Sequence, residues 1–239
     1  MMDSFAGRQA DAPHFPGEAT DLFIREFSFW QQLTEEQKEL LCHATKPVHY
    51  AKGQTLVGGS DRCLGVLIIK KGQLRVYTLS EDGRDITLQR LFPGEVCILS
   101  AWCVMSQVTI DVFIDAEEET DALRTDAAAF QSLAKQNIYV KCFSYEMATA
   151  RLSRMVWTMQ QILFLSVDRR LAMFLLEESE ARGTDELRLT HEQIARYMGS
   201  AREVVSRLLK YFSEEGMVKA GRGVVMLTNR EKLEKLANR

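Results

Sequence analysis

Hydrophobic positions along this chain of 239 residues change period several times, and each change predicts an element. Thr34 opens a short helix, with Gln37 at capping-box distance, Leu40 and Leu41 following, and Pro47 as the stop. From His49 to about Ala127 the apolar runs are short or alternate every second residue, broken by turn residues. Lys70-Lys71-Gly72 separates VLII from LRVYTL, Asp82-Gly83 is a hairpin signal, Pro93-Gly94 marks another turn, and VTIDVFIDA is a further strand. Seven or eight such strands predict a small antiparallel sandwich or roll. A helical period returns after Gln131. Over roughly 138–165, Tyr145, Ala148, Leu152, Met155, Met159 and Ile162 recur at steps of three and four, an a/d seam on a helix about 40 Å long. The seam suits a partner helix, or packing on its own domain with the help of Val156 and Leu163.

The last third is more specific. FLSVDRRLAMFLLEESEARG reads as an amphipathic helix with Gly183 as its stop. Thr190 then caps another helix, with Gln193 at capping-box spacing and Ile194, Ala195 and Met198 on one apolar face. Gly199 supplies a turn, and Ser200 is the expected cap of a second helix from about Ala201 to Phe212. Val204, Leu208 and Phe212 are the stripe expected to pack inward. Arg202, Glu203, Ser206, Arg207 and Lys210 then remain outside. Such a face suits a major groove, where arginine bonds guanine bidentately, a carboxylate accepts from cytosine and lysine meets phosphate. GMVKAGRGVVMLTN predicts a β-hairpin with Arg222 at its tip, within reach of phosphate or simply a solvated turn. REKLEKLANR predicts a short charged helix.

Charge adds to this picture. The chain carries a net charge of −3, but Arg188 to Arg239 holds 11 Lys or Arg against 6 Asp or Glu. The tail is therefore +5 and the first 187 residues −8, the asymmetry of a nucleic-acid reader joined to an acidic body. No run of 18 apolar residues is present, so no membrane span is expected. The N-terminus lacks a basic-then-apolar order, and residues 1–20 are expected to be a loosely ordered lead-in. Five cysteines without CxxC spacing argue against a disulfide framework or a zinc finger, which points to the cytoplasm. The sequence contains no H-E-x-x-H, P-loop or G-x-S-x-G, so no enzyme is expected.

Gly199 followed by Arg202, Glu203, Val205 and Arg207 resembles the recognition-helix signature of the CRP/FNR family of bacterial transcription regulators. Ser206 before Arg207 is similar to the FNR branch, and Arg202 to the CRP branch. Gly53, the Gly65-to-Gly72 stretch, Gly83 and Pro93-Gly94-Glu95 stand where cyclic-nucleotide-binding β-rolls have their turns. The resemblance implies an α+β chain with a jelly-roll-like β-roll sensor at 21–137, a dimerisation helix at 138–165 and a winged helix-turn-helix at 166–239. It implies a homodimer on a pseudo-palindrome of TGTGA- or TTGA-type half-sites in double-stranded DNA, with RNA polymerase as a further partner. Arg202 and Arg207 would read guanines and Glu203 a cytosine. Thr190, Ser206, Lys210 and Arg222 would hold the backbone.

For the sensor, the resemblance mostly excludes. Where cyclic-AMP binders carry Gly-Glu-Leu, this chain has Ile98-Leu99-Ser100. Their Arg-Ser pair falls at Ile110-Asp111, where a carboxylate would repel phosphate and no replacement arginine is in view. Their Thr-Ser pair becomes Met155-Val156. Cyclic AMP is therefore not expected. An iron–sulfur cluster wants four thiolates, and only Cys42 precedes residue 60. Haem wants an axial ligand, and His43 and His49 read as packed or surface residues. Cys97 and Cys103, with Cys142 beyond, are a thiol-redox candidate, although their apolar neighbours suit small buried hydrophobes. A small-molecule effector would lie around Leu99, Ser100, Trp102 and Asp111, or the roll binds nothing and only orients the dimer. No cofactor or metal is assigned.

Overall fold

The computed structural model describes residues 17–57, 64–80, 85–97 and 112–238. In chain order its elements begin with α1 (Gly17–Glu26), a 3-10 turn (Trp30–Gln32) and α2 (Glu35–His43). Eight strands follow: β1 (Thr45–Tyr50), β2 (Thr55–Val57), β3 (Val66–Lys71), β4 (Leu74–Leu79), β5 (Asp85–Leu91), β6 (Val96–Cys97), β7 (Phe113–Ala116) and β8 (Thr120–Thr125). Then come α3 (Ala127–Gln136), α4 (Ile138–Phe164), α5 (Val167–Arg182), β9 (Glu186–Leu187), α6 (His191–Met198), α7 (Arg202–Glu214), β10 (Val218–Gly221), β11 (Val224–Leu227) and α8 (Arg230–Ala237). No described helix is long and apolar enough to cross a membrane.

The first eight strands form two antiparallel sheets, in the orders β1-β8-β3-β6 and β2-β7-β4-β5. β3 shows why they stack. Val66, Leu67, Ile68 and Ile69 are all buried, so both faces of this strand are covered. Leu67 and Ile69 point between the sheets with Leu74, Val76, Leu91 and Ile114. Val66 and Ile68 point the other way, into a layer holding Phe23, Phe27, Phe29, Trp30, Phe130 and Phe143. That aromatic cluster fixes α1, an element the hydrophobic period does not predict, through stacked rings such as Phe23 and Phe27 at 5.5 Å.

Helix ends follow local chemistry. Thr34 and Gln37 make the expected capping box. α2 nevertheless ends at His43, before Pro47, which lies within β1. Proline is tolerated there because, among the described residues, β1 pairs only with β8, leaving one edge free of ladder bonds. α3 begins earlier than the apolar period indicates, at Ala127, because the Asp126 carboxylate accepts from Ala129 N–H at 3.0 Å. α4 matches its expected span. Val140 and Phe143 anchor its first turns in the aromatic layer, whereas Leu152, Met159, Ile162 and Leu163 remain exposed. The Asp82-Gly83 turn signal lies outside the described residues.

Gly65 marks the tightest approach in the roll. It has φ of +93°, and a Cβ there would meet the Thr125 carbonyl oxygen at 1.9 Å. Gly53 has φ of +82° but open space around it. Gly53→Ala should therefore cost only the left-handed backbone penalty, about 1–2 kcal/mol. Gly65→Ala adds a clash with backbone that cannot rotate away. Thermal melts should rank Gly65→Ala well below Gly53→Ala, and equal melts would contradict the packing described.

Candidate nucleic-acid interface

The C-terminal unit owns a separate core, with Leu171, Leu175, Ile194, Val205, Leu209, Phe212 and Leu233 at its centre. Thr190 and Gln193 form the expected capping box at the start of α6. Gly199 ends α6 in the left-handed region at φ +61°, which turns the chain sharply into α7. The cap of α7 differs from expectation. Ala201, not Ser200, occupies the N-cap, and no side chain bonds there. Those first-turn N–H groups lack a side-chain partner, an arrangement that suits an anion.

The inward stripe also differs. Val205, Leu209 and Phe212 are buried, while Val204 and Leu208 are half-buried flanks. Paired apolar residues at 204/205 and 208/209 make two stripes about 60° apart equally apolar on paper. Packing against α5 and β10 selects the i, i+4, i+7 set. The outer face survives this rotation: Arg202, Glu203, Ser206, Arg207 and Lys210 are all exposed. Lys210 lies 3.9 Å from Glu214. Among the described residues, Arg202, Glu203 and Arg207 have no ion-pair partner.

β10 and β11 form the expected hairpin, joined by β9 into a three-stranded sheet. Arg222 is exposed at its tip. A Cβ on the adjacent Gly223 would touch the Thr190 methyl at 4.0 Å, so the wing tip lies against the α6 cap. The structure thus assembles Thr190, Arg202, Glu203, Ser206, Arg207, Lys210 and Arg222 on one unit. The four expected effector-pocket residues, Leu99, Ser100, Trp102 and Asp111, lie outside the described residues, as does Cys103. Cys97 is fully buried in the roll. Cys142 is exposed at the start of α4. His49 engages Asp121 at 2.8 Å and Glu119 at 3.0 Å through its two ring nitrogens. The Asp121 hydrogen bond above all raises its pKa.

Sequence reasoning missed the residues that join the two halves. Arg90 of β5 forms an ion pair with Glu178 of α5, which Arg182 also meets at 3.2 Å. Burial alone would raise the Glu178 carboxyl, but the two guanidiniums outweigh it and hold the pKa below the usual value. Tyr197 of α6 donates to Glu117, with both carboxylate oxygens at 2.8 Å. Burial foremost, then that carboxylate, pushes the phenol up. Asp85 bridges the buried Arg75 at 2.8 Å and Arg196 at 3.4 Å. The Thr87 hydroxyl donates to the Arg196 carbonyl at 3.2 Å. Beside these contacts, a cleft of about 920 Å³ separates Ser80, Asp85 and Ile86 of the roll from Glu192, Arg202 and Glu203. Arg151 of α4 was also overlooked. It is 6% exposed, Nη2 donates to the Val96 carbonyl at 3.0 Å, and among the described residues Nε and Nη1 have no partner.

Comparison with known proteins decides what this architecture is. Residues 169–236 match the model of the Crp-like helix-turn-helix domain, and residues 47–137 that of the cyclic nucleotide-binding domain. A solved transcriptional regulator of the CRP/FNR family from Eubacterium rectale is 40% identical, with a TM-score of 0.84 over 90% of this chain and 99% of that one. The chain belongs to the CRP/FNR family. It is a DNA-binding transcription regulator with an N-terminal β-roll and a C-terminal winged helix-turn-helix. A CRP-like cAMP-activated global transcriptional regulator of Mycobacterium tuberculosis is 27% identical over 204 residues, 80% of this chain and 88% of that protein. FixK2 from Bradyrhizobium japonicum shares the fold at 23% identity, with a TM-score of 0.69 over 80% of this chain and 96% of its own.

Two exposed cations on α7, Arg207 and Lys210, are expected to differ in what they contact on DNA. Arg207→Ala should cost about 1–3 kcal/mol and relax selectivity at a single base pair. Lys210→Ala should weaken all sequences alike and reduce the salt slope by about 1. Affinities against a panel of single-base operator variants check both. Uniform loss in Arg207→Ala would move that residue to the phosphate backbone.

Proposed function

We propose that this regulator works as a homodimer on a pseudo-palindromic site, and that the arrangement described here is its closed form. The observation that carries the closed form is the cleft beside Arg202 and Glu203. The first turn of α7, the part that meets base edges in this kind of reader, faces a wall made by Ser80 and by Asp85 and Ile86 of β5 of the same chain. A duplex needs that wall to withdraw. Release of Arg90–Glu178, Tyr197–Glu117 and Arg196–Asp85 would let the helix-turn-helix swing free.

The homodimer reading rests on α4. Leu152 is 62% exposed and Met159 59%, with Tyr145 and Ile162 also open, a stripe that a second copy of the helix would cover. Two reading heads about one helical turn apart then share one operator. Arg202 and Arg207 read guanines, Glu203 a cytosine, and Thr190, Ser206, Lys210 and Arg222 hold phosphate. Contact with RNA polymerase, a cytoplasmic setting and the absence of catalysis complete this reading.

A small-molecule signal at the roll would shift the equilibrium between closed and open forms by binding one of them more tightly. The relatives named as cAMP-activated do not extend that ligand to this chain, since in sequence the Arg-Ser pair of cyclic-AMP binders is replaced by Ile110-Asp111. Arg151, with unpartnered Nε and Nη1, supplies a buried cation on α4 instead and makes an acidic effector the better fit. Redox control through Cys97 requires a route to a thiol that is fully buried.

Met159→Glu should convert the dimer to monomer in sedimentation, and an unchanged dimer would remove α4 from the interface. Tyr197→Phe deletes the Glu117 contact while leaving the α6 core intact. It should raise operator affinity about two- to tenfold, the equivalent of about 0.5–1.5 kcal/mol. Fluorescence anisotropy with a labelled duplex reads the change, and a fall in affinity would contradict the closed form. The lowered Glu178 pKa sets a pH sense as well. Its contribution is complete above the ordinary glutamate range and is lost as pH falls through the lowered value, so operator affinity should be flat near neutrality.

A further inference from the structure

A second cavity, of about 300 Å³, opens between the two halves, away from the α7 cleft. β5 gives one wall, α4 a second, and α5 with α6 the third. Its chemistry is uneven. Arg90, Arg154 and Arg170 bring three guanidiniums, and Glu177, which is exposed, brings the single carboxylate. Among the described residues neither Arg154 nor Arg170 has a carboxylate partner. Arg90 spends Nη2 on Glu178, and among the described residues its buried Nη1 has no partner. Burial pushes the Arg170 guanidinium down and, with the neighbouring Glu178, pushes the Glu177 carboxyl up.

The remaining walls are flat rings. Tyr197 has the Arg90 guanidinium 4.4 Å from its centroid, Phe174 has it at 5.8 Å, and Trp157 faces them from α4. By helical period, Arg154, Trp157 and Gln161 lie on the flank of α4 turned away from Leu152, Met155 and Met159. A partner helix on that seam therefore leaves these three free. The volume is at the lower end of small-molecule sites, which combine apolar walls with a few polar anchors.

We infer that this interdomain cavity is a binding site for a small planar anion, a flat ring carrying one acidic group, which clamps the helix-turn-helix to the roll. The ring stacks among Tyr197, Phe174 and Trp157, and the acidic group meets Arg154 and Arg170. Because its walls come from both halves, an occupant favours the closed form and weakens DNA binding. That effect on DNA rests on the closed form proposed above, whereas the existence of the site does not.

The probe is 1-anilinonaphthalene-8-sulfonate, with uncharged N-phenyl-1-naphthylamine as the matched neutral ring, titrated by fluorescence into the full chain. Saturation at one site per chain is expected, with the neutral ring at least tenfold weaker. Arg154 is exposed and makes no bond among the described residues, so Arg154→Glu should keep the melting temperature and lose tenfold or more in affinity. Trp157→Leu should also weaken binding. Leu163→Ser, on exposed apolar surface outside the cavity, should not. Absence of saturable binding, full binding in Arg154→Glu, or loss confined to Leu163→Ser overturns the site. Operator affinity is then measured with the probe saturating. A fall of severalfold supports the clamp; unchanged affinity with binding intact overturns the clamp and traces the failure to the closed form.

Discussion

A glutamate that is almost fully buried keeps its charge only beside a cation, and Glu178 finds two, one from each half of the molecule. Arg182 belongs to its own helix, but Arg90 belongs to the roll. Separating the halves strips Glu178 of the partner that offsets most of its desolvation, and takes Arg90 away from both its counter-ion and the Tyr197 ring. Breaking a buried pair by withdrawing one member is costly, of order 3–5 kcal/mol, unless water replaces it. Water reaches both groups as the halves part. The contact is therefore firm when closed and tolerable when open, which is the property a two-state element needs.

Everything around this pair has the same character. The roll and the reading unit each own a complete apolar core, and nothing in either core depends on the other. Between them lie hydrogen bonds and ion pairs, Tyr197 to Glu117 and Arg196 to Asp85, rather than interlocked hydrophobic side chains. Polar interfaces of this sort are the ones across which domains move. α6 also lies along β5, the outer strand of its sheet among the described residues, and so covers an edge that would otherwise expose unpaired backbone groups.

How much of this was legible in the sequence depends on the range of the interaction. Capping boxes at Thr34 and Thr190, the stop at Gly183 and the span of α4 are local, and one sequence suffices to read them. The recognition face was legible too, since Arg202, Glu203, Arg207 and Lys210 stay outside whichever apolar stripe turns inward. The stripe itself was misread because Val204 and Leu208 are as apolar as Val205 and Leu209, and only packing decides between them. α1 was invisible because its buried face is short, Leu22 and Phe23, and the aromatic layer that it joins is completed only by Phe130 and Phe143, about a hundred residues away. Arg90, Glu117, Glu178 and Tyr197 gave no signal at all. Each reads as an ordinary surface residue of its own element until the fold brings them together.

Hydrogen exchange of the free protein and of its complex with a selected operator duplex tests the account most directly. Protection of α7 in the complex marks the bound reading face. If DNA engagement requires the reading unit to leave the roll, amides of β5, residues 85–91, exchange faster in the complex than in the free protein. Equal or slower exchange in β5 while α7 is protected would mean that the protein reads DNA with its halves still joined, and that Arg90–Glu178 holds no switch.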